Sequence, residues 1–188
     1  MDDHTRFRLE YSRYRDLLFL IRKELEDMRA LLAKEPDTQF MRRLKVRVLF
    51  ACIEGFISHL KGTSQTFAIG NEGVFTVEET LFLRDQMAGK DGNPVKAKIT
   101  LRENIKRSFA LFAKATGTAY EIDFGSEASR GFLSGIIIRD RITHAKDAQS
   151  WQITDSDAET IEKAWNWFGD HLISVSTKAA TKAQSEAS

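Results

Sequence analysis

The sequence predicts an all-α protein, a single-domain bundle of five or six helices. Three observations carry that expectation. Apolar residues recur at steps of three and four over most of the chain, the spacing that gathers them on one face of a helix. Thr76 and Ser156 each stand three residues before a glutamate, Glu79 and Glu159, in the pattern of a helix-starting capping box. Only Tyr120, Ile122 and Phe124 alternate as a short strand or extended loop would, and no partner strand is evident. A chain of 188 residues can enclose one sizeable core, and nothing in it marks an internal boundary or repeat, so residues 1–175 are expected to form one helical domain.

The first helix is expected over 6–33, where Tyr14, Leu18, Ile21, Leu25, Met28 and Leu32 form one stripe opposite a solvated face of Arg15, Arg22, Lys23, Glu26 and Arg29. Pro36 stops it, and Asp37 or Thr38 can cap the next. That second helix runs through Phe40, Leu44, Val48, Cys52, Gly55 and Phe56; it is apolar on more than one side and therefore central, with Gly55 letting a neighbour approach. Gly70-Asn71-Glu72-Gly73 reads as a turn, and the Thr76 box opens a short helix through Leu81, Phe82 and Met87 that Gly89 closes. Beyond a polar loop at 90–94, Ile99, Ile105, Phe109 and Phe112 mark a helix ending near Gly117. It carries Lys96, Lys98, Arg102, Lys106 and Arg107 against Glu103 alone, which makes it either a solvated face or a phosphate-tracking patch.

Ser126 or Glu127 begins the next helix, and its Phe132, Leu133, Ile136, Ile137 and Ile138 suggest burial between other elements. The last helix, capped at Ser156, puts Ile161, Trp165, Phe168, Leu172 and Val175 on its inner stripe and leaves Trp167 off it. From Ser176 the composition turns to Ala, Thr, Lys, Ser and Gln, so 176–188 are expected to be a disordered polar tail.

Composition removes several function classes. With 28 Lys+Arg against 27 Asp+Glu there is no global field to recruit a polyanion, so any nucleic-acid site has to be a local patch. The single Cys52 excludes an intrachain disulfide, and its apolar neighbours suggest a buried thiol rather than a nucleophile. The charged N-terminus and the lack of any apolar run near the roughly 18 residues of a membrane span predict neither signal peptide nor transmembrane helix, and so a cytoplasmic protein. His4, His59, His144 and His171 lack the spacing and the cysteine company of a zinc site, and no Gly-rich phosphate loop or Gly-x-Ser-x-Gly elbow occurs, so no metal and no cofactor are expected. Glu54 and His59, on the inward second helix, are either members of a site or satisfied core and surface groups.

One hexapeptide concentrates the remaining chemistry: Arg139-Asp140-Arg141-Ile142-Thr143-His144, directly after Gly135-Ile136-Ile137-Ile138. On an unbroken helix Asp140 and His144 share a face, where a carboxylate can hydrogen-bond the imidazole and favour its protonated form. Arg139 and His144 would leave the same helix about 140° apart. They converge on one phosphate only if the helix loosens, if Arg139 reaches round, or if a second chain completes the site. A local account needs no substrate: cationic residues near a helix C-terminus meet its dipole favourably, worth about 0.3–1 kcal/mol.

The order arginine, polar residue, then histidine near the end of a late helix resembles the signature of the HEPN superfamily, the higher eukaryote and prokaryote nucleotide-binding domains. Here the motif reads Arg139, Asp140, His144, with an apolar run before it and a helix bearing Trp165, Trp167 and Phe168 after it. The resemblance covers 131–175 best, and the earlier helices in their number and apolar character. It implies a HEPN-like bundle and a homodimer that pairs through the motif region, bringing two copies of Arg139 and His144 across one cleft. It also implies one of two functions. One is a metal-independent endoribonuclease of toxin or phage-defence type, in which His144 moves the ribose 2′-hydroxyl proton, Arg139 holds the phosphate and Asp140 orients His144, with an antitoxin among its partners. The alternative is a non-catalytic module that binds a nucleotide, RNA or a partner protein. Arg141 is assigned to solvent or a surface ion pair in either case.

Overall fold

Six helices and one short hairpin make up the regular structure of the computed structural model, which describes residues 2–69, 71 and 73–186. In chain order they are α1 (Asp3–Leu32), α2 (Gln39–Phe67), α3 (Val77–Leu83), β1 (Gln86–Ala88), β2 (Pro94–Lys96), α4 (Leu101–Ala115), α5 (Glu127–Thr143) and α6 (Asp155–Glu186). The fold is all-α, as the periodicity requires. Its contacts gather into two compact units, one of Phe19–Gly55 with Asp123–Ile173 and the other of Met1–Leu18, Phe56–Ile122 and Ser174–Ser188. Helices α1, α2 and α6 each supply part of both.

The unit holding the motif is built from the C-terminal half of α1, the N-terminal half of α2, α5 and the start of α6. Ile21, Leu25 and Met28 bury one α1 stripe, and a Cβ at Gly55 would stand 2.9 Å from Cδ1 of Ile21, so the glycine on α2 admits α1 as its position suggests. Thr38 is the residue that caps α2, its hydroxyl accepting from the Met41 amide, while Asp37 pairs with Arg42. Cys52 is buried on α2, and burial reinforced by the Glu24 charge pushes its thiol up to about 11.

Helix α5 departs from expectation. Phe132, Gly135, Ile138 and Ile142 are buried at steps of three and four, but Ile137 is 69% exposed, so α5 is amphipathic and not enclosed on all sides. Gly135 sets the approach of α6, since a Cβ there would lie 2.8 Å from the Cβ of Ala164. The tryptophans of α6 are also reversed. Trp167 is buried against Phe132 and Phe124, with ring centroids 4.6 and 5.2 Å away, whereas Trp165 is half-exposed. Phe124 comes from the loop before α5, and an aromatic supplied by a loop draws Trp167 inward where helical periodicity alone favours Trp165. The cap of α6 is Thr154 rather than Ser156. Its hydroxyl accepts from the Asp157 amide and its own amide donates to the Asp157 carboxylate, a capping box two residues earlier.

In the other unit, α2 buries Ile57, Leu60, Ser64 and Thr66, whose hydroxyls donate to carbonyls one turn back, Leu60 O and Gly62 O. The Thr76 capping box forms as predicted, but α3 stops at Leu83, because Asp85 takes the left-handed conformation (φ 57°) and turns the chain into the β1–β2 hairpin. Met87 and Lys96 are therefore strand residues, and α4, capped by Thr100, begins after Lys98. The cationic run is shorter than the sequence suggested. Residues 118–125 form no strand, and the turn at Gly70 and Glu72 lies outside the described residues. The segment from Ser176, expected to be a disordered tail, continues α6 to Glu186. Alanine-rich composition favours helix, Lys182 pairs with Glu186 one turn on, and Lys178 lies over the Tyr120 ring at 5.2 Å. No described helix is long and apolar enough to cross a membrane.

Candidate functional site at the end of α5

The motif occupies the last turn and a half of α5. The backbone stays helical through Thr143, whose hydroxyl donates to Arg139 O, and His144 is the C-cap with its amide on Asp140 O. Because the helix does not loosen, Arg139 and His144 leave it about 140° apart within one chain.

Arg139 is directed onto α2. One terminal nitrogen donates to Glu54 Oε1 at 3.0 Å, the other meets Asp140 Oδ1 at 3.0 Å, and the guanidinium carbon lies 5.6 Å from the Phe50 ring centroid. Its Nε is buried with no hydrogen-bond partner. Two carboxylates and a ring thus fix the side chain in one pose, with 24% of it exposed. Asp140 is therefore engaged by Arg139 and does not orient His144, contrary to the expectation from their shared face. A permanently charged guanidinium that offers a fork of donors is the stronger partner for a carboxylate. The imidazole of His144 is exposed and makes no hydrogen bond or ion pair among the described residues.

Arg141 does more than face solvent. It donates to the Asp157 carboxylate at 2.7 Å and to Gln152 O at 3.0 Å, tying the start of α6 and the α5–α6 loop to the motif helix. Burial alone would raise the Asp157 carboxyl, but the Arg141 bond and those from Thr154 hold it below the usual carboxylate range. The loop is fixed from the α2 side as well. Gln39 exchanges two bonds with the Ile153 backbone, and Arg43 donates to Trp151 O at 3.1 Å.

Glu54 thus belongs to the motif cluster, and His59 does not. His59 lies in the other unit, where its Nδ1 is 3.0 Å from Tyr14 O and burial lowers its pKa against the effect of that bond. The α4 cations belong to that unit too, and Arg107 is paired with Glu78. Among the described residues no three His, Cys, Asp or Glu side chains are grouped to hold a metal ion. Sequence reasoning missed Arg43, Arg47 and Trp151. The two arginines are four apart on α2, a spacing that could have flagged them, but nothing in the sequence places Trp151 over them. Comparison of the chain with protein-family models, with curated proteins and with solved structures finds no match.

Proposed function

We propose that this chain is a HEPN-like, metal-independent endoribonuclease that acts in the cytoplasm as a homodimer paired through the exposed face of α5. The observation that carries the reading is the disposition of His144. A purely local ion-pair cluster accounts for Arg139, Asp140, Glu54 and Arg141, all of which are engaged, and it leaves the exposed imidazole outside its contacts. An imidazole nitrogen can accept or donate a proton, so His144 is suited to take the 2′-hydroxyl proton or to return one to the leaving 5′-oxygen. Arg139 steadies the charge that builds on the phosphoryl oxygens.

The surface proposed for pairing is the exposed face of α5. Ile137 lies seven residues before His144, on the same helical face, and an apolar side chain this exposed beside the motif favours a covered surface. A C2 partner would then bring its own His144 toward this one, while Arg139, about 160° round α5 from Ile137, stays directed onto α2. One observation favours the alternative, a non-catalytic module: both terminal nitrogens of Arg139 already hold carboxylates, so a phosphate has to displace one of them.

The test is cleavage of RNA by purified protein in the presence of a chelator, with analysis of the product ends. The expected result is cleavage giving cyclic-phosphate ends, lost in His144→Ala and Arg139→Ala. Cleavage that depends on added magnesium, or that persists in His144→Ala, replaces this reading with the non-catalytic one. Only monomer at micromolar concentration in sedimentation removes the dimer. For the toxin or phage-defence role, including an antitoxin partner, the measure is growth on expression, and equal growth with His144→Ala counts against it.

A further inference from the structure

We infer that Trp151, with Arg43 and Arg47 against its ring, is a platform that holds an unpaired RNA strand by base stacking and phosphate contact beside the motif; the inference rests on the endoribonuclease reading. Arg43 and Arg47 stand one turn apart on α2, with their guanidinium carbons 4.9 and 5.2 Å from the Trp151 ring centroid. Neither has a carboxylate partner among the described residues, in contrast to Arg42 and Lys45 beside them, which are paired with Asp155 and Glu162. Arg47 is exposed, and Trp151 keeps 39% of its surface open although the loop that carries it is pinned to α2. A large exposed aromatic on a rigid backbone, backed by two unneutralised cations, is the combination that stacks bases and meets phosphates without reading sequence.

Its position links it to the motif. On α2, Arg43, Arg47 and Glu54 lie within about 40° of one face, and Arg47 is about 10 Å along the axis from Glu54, the residue that holds Arg139. From the other side, Arg141 grips Gln152 O, next to Trp151. A strand crossing this face meets the cationic aromatic platform and then the motif. A duplex cannot present an unstacked base to Trp151, so the substrate class is single-stranded RNA.

The test measures anisotropy of a fluorescently labelled oligoribonucleotide, single-stranded or in a duplex, with full-length protein carrying His144→Ala so that the probe survives. Trp151→Ala in that background should weaken single-strand binding roughly 5- to 100-fold, and Trp151→Phe, which retains a stacking face and controls for loss of structure, should restore most of it. Arg47→Gln, at an exposed position, should lower the salt dependence by about 0.7 in log–log slope. Unchanged affinity in both Trp151→Ala and Arg47→Gln overturns the inference, and duplex bound as tightly as single strand overturns the substrate class. If the His144-intact protein leaves RNA uncut but binds it through Trp151, the platform stands and the catalytic reading falls. If it cuts RNA equally well with Trp151→Ala, the platform falls and the catalytic reading stands.

Discussion

Replacing Glu54 with glutamine separates what Arg139 does for the fold from what it does for a ligand. The substitution keeps the size of the side chain and an acceptor for the Arg139 terminal nitrogen, and removes one negative charge 3.0 Å from it. Glu54 is 56% exposed and Arg139 24%, so the pair is screened and its loss should cost roughly 0.5–1 kcal/mol, not the several of a buried pair. For a chain of this size that lowers the melting temperature by about 1–4 °C, measurable by circular dichroism of the helical signal. The effect on a polyanion has the opposite sign. A unit charge about 4 Å from a phosphate contributes about 1 kcal/mol of repulsion in a water-like dielectric, so removing it should tighten RNA binding about fivefold. Lower stability with higher affinity is the expected signature of an arginine that is held by Glu54 and also offered to phosphate. An unchanged melting temperature would show that the pair does not form in solution. Weaker RNA binding would mean that Glu54 positions the ligand itself and that Arg139 is structural.

Three further outcomes follow from the packing and ionisation. Gly135→Ala drives a methyl to within 2.8 Å of the Ala164 Cβ, a contact between two Cβ atoms fixed to their helices that no flexible side chain can relieve, and it should lower unfolding free energy in urea by about 1–3 kcal/mol; no loss would mean that α5 and α6 are not so close. Burial lowers the pKa of both His59 and His171 in the folded chain, with the Tyr14 bond opposing at His59 and the Asp170 and Asp123 charges at His171. The unfolded chain therefore binds more protons below about pH 6.5, so this stability is complete above about pH 6.5 and is lost as pH falls. The melting temperature should drop between pH 7.5 and pH 5.5, and the drop should shrink in the His59→Gln, His171→Gln double variant; an equal drop in both would refute the assignment. Arg141→Ala, which the sequence alone offers as a neutral control, should reduce stability by about 1–2 kcal/mol through loss of its bonds to Asp157 and Gln152 O, while leaving the RNA cleavage proposed for His144 intact in protein that remains folded. Full stability would show those bonds to be negligible.

The helices were legible because their signals are local. The Thr76 box and the apolar stripes of α1 and α4 are written at fixed short spacings, and the structure follows them. What failed were places where a distant group decides. Met87 continues a helical pattern, yet the left-handed turn at Asp85 and a hairpin partner eight residues further on draw it into β1. Trp165 fits the α6 stripe and Trp167 does not, but Phe124 and Phe132 provide the aromatic surface that buries Trp167. The polar segment after Ser176 resembles a tail in composition, and it is helix because its alanines favour that state and its lysines find partners.

The candidate site shows the same division more sharply. Arg139 and His144 could be picked out by their spacing, but the partner of Asp140 could not, since Arg139 next to it and His144 one turn on are both sterically reachable and only the competition between them decides. Glu54 is 85 residues from Arg139 in sequence, and no periodicity links the two; the α2–α5 packing around Phe50 and Phe132 brings them together. Once Glu54 and Asp140 are placed on Arg139, the motif ceases to be one uniform cluster. Its arginine, aspartate and distant glutamate hold one another, although Arg139 Nε stays buried without a hydrogen-bond partner, and the imidazole at the exposed end of the helix is the motif group that this cluster does not engage. A structural origin for the motif would have to account for that histidine, which is why substitution at His144 discriminates between the readings more cleanly than substitution at Arg139, where loss of fold and loss of chemistry coincide.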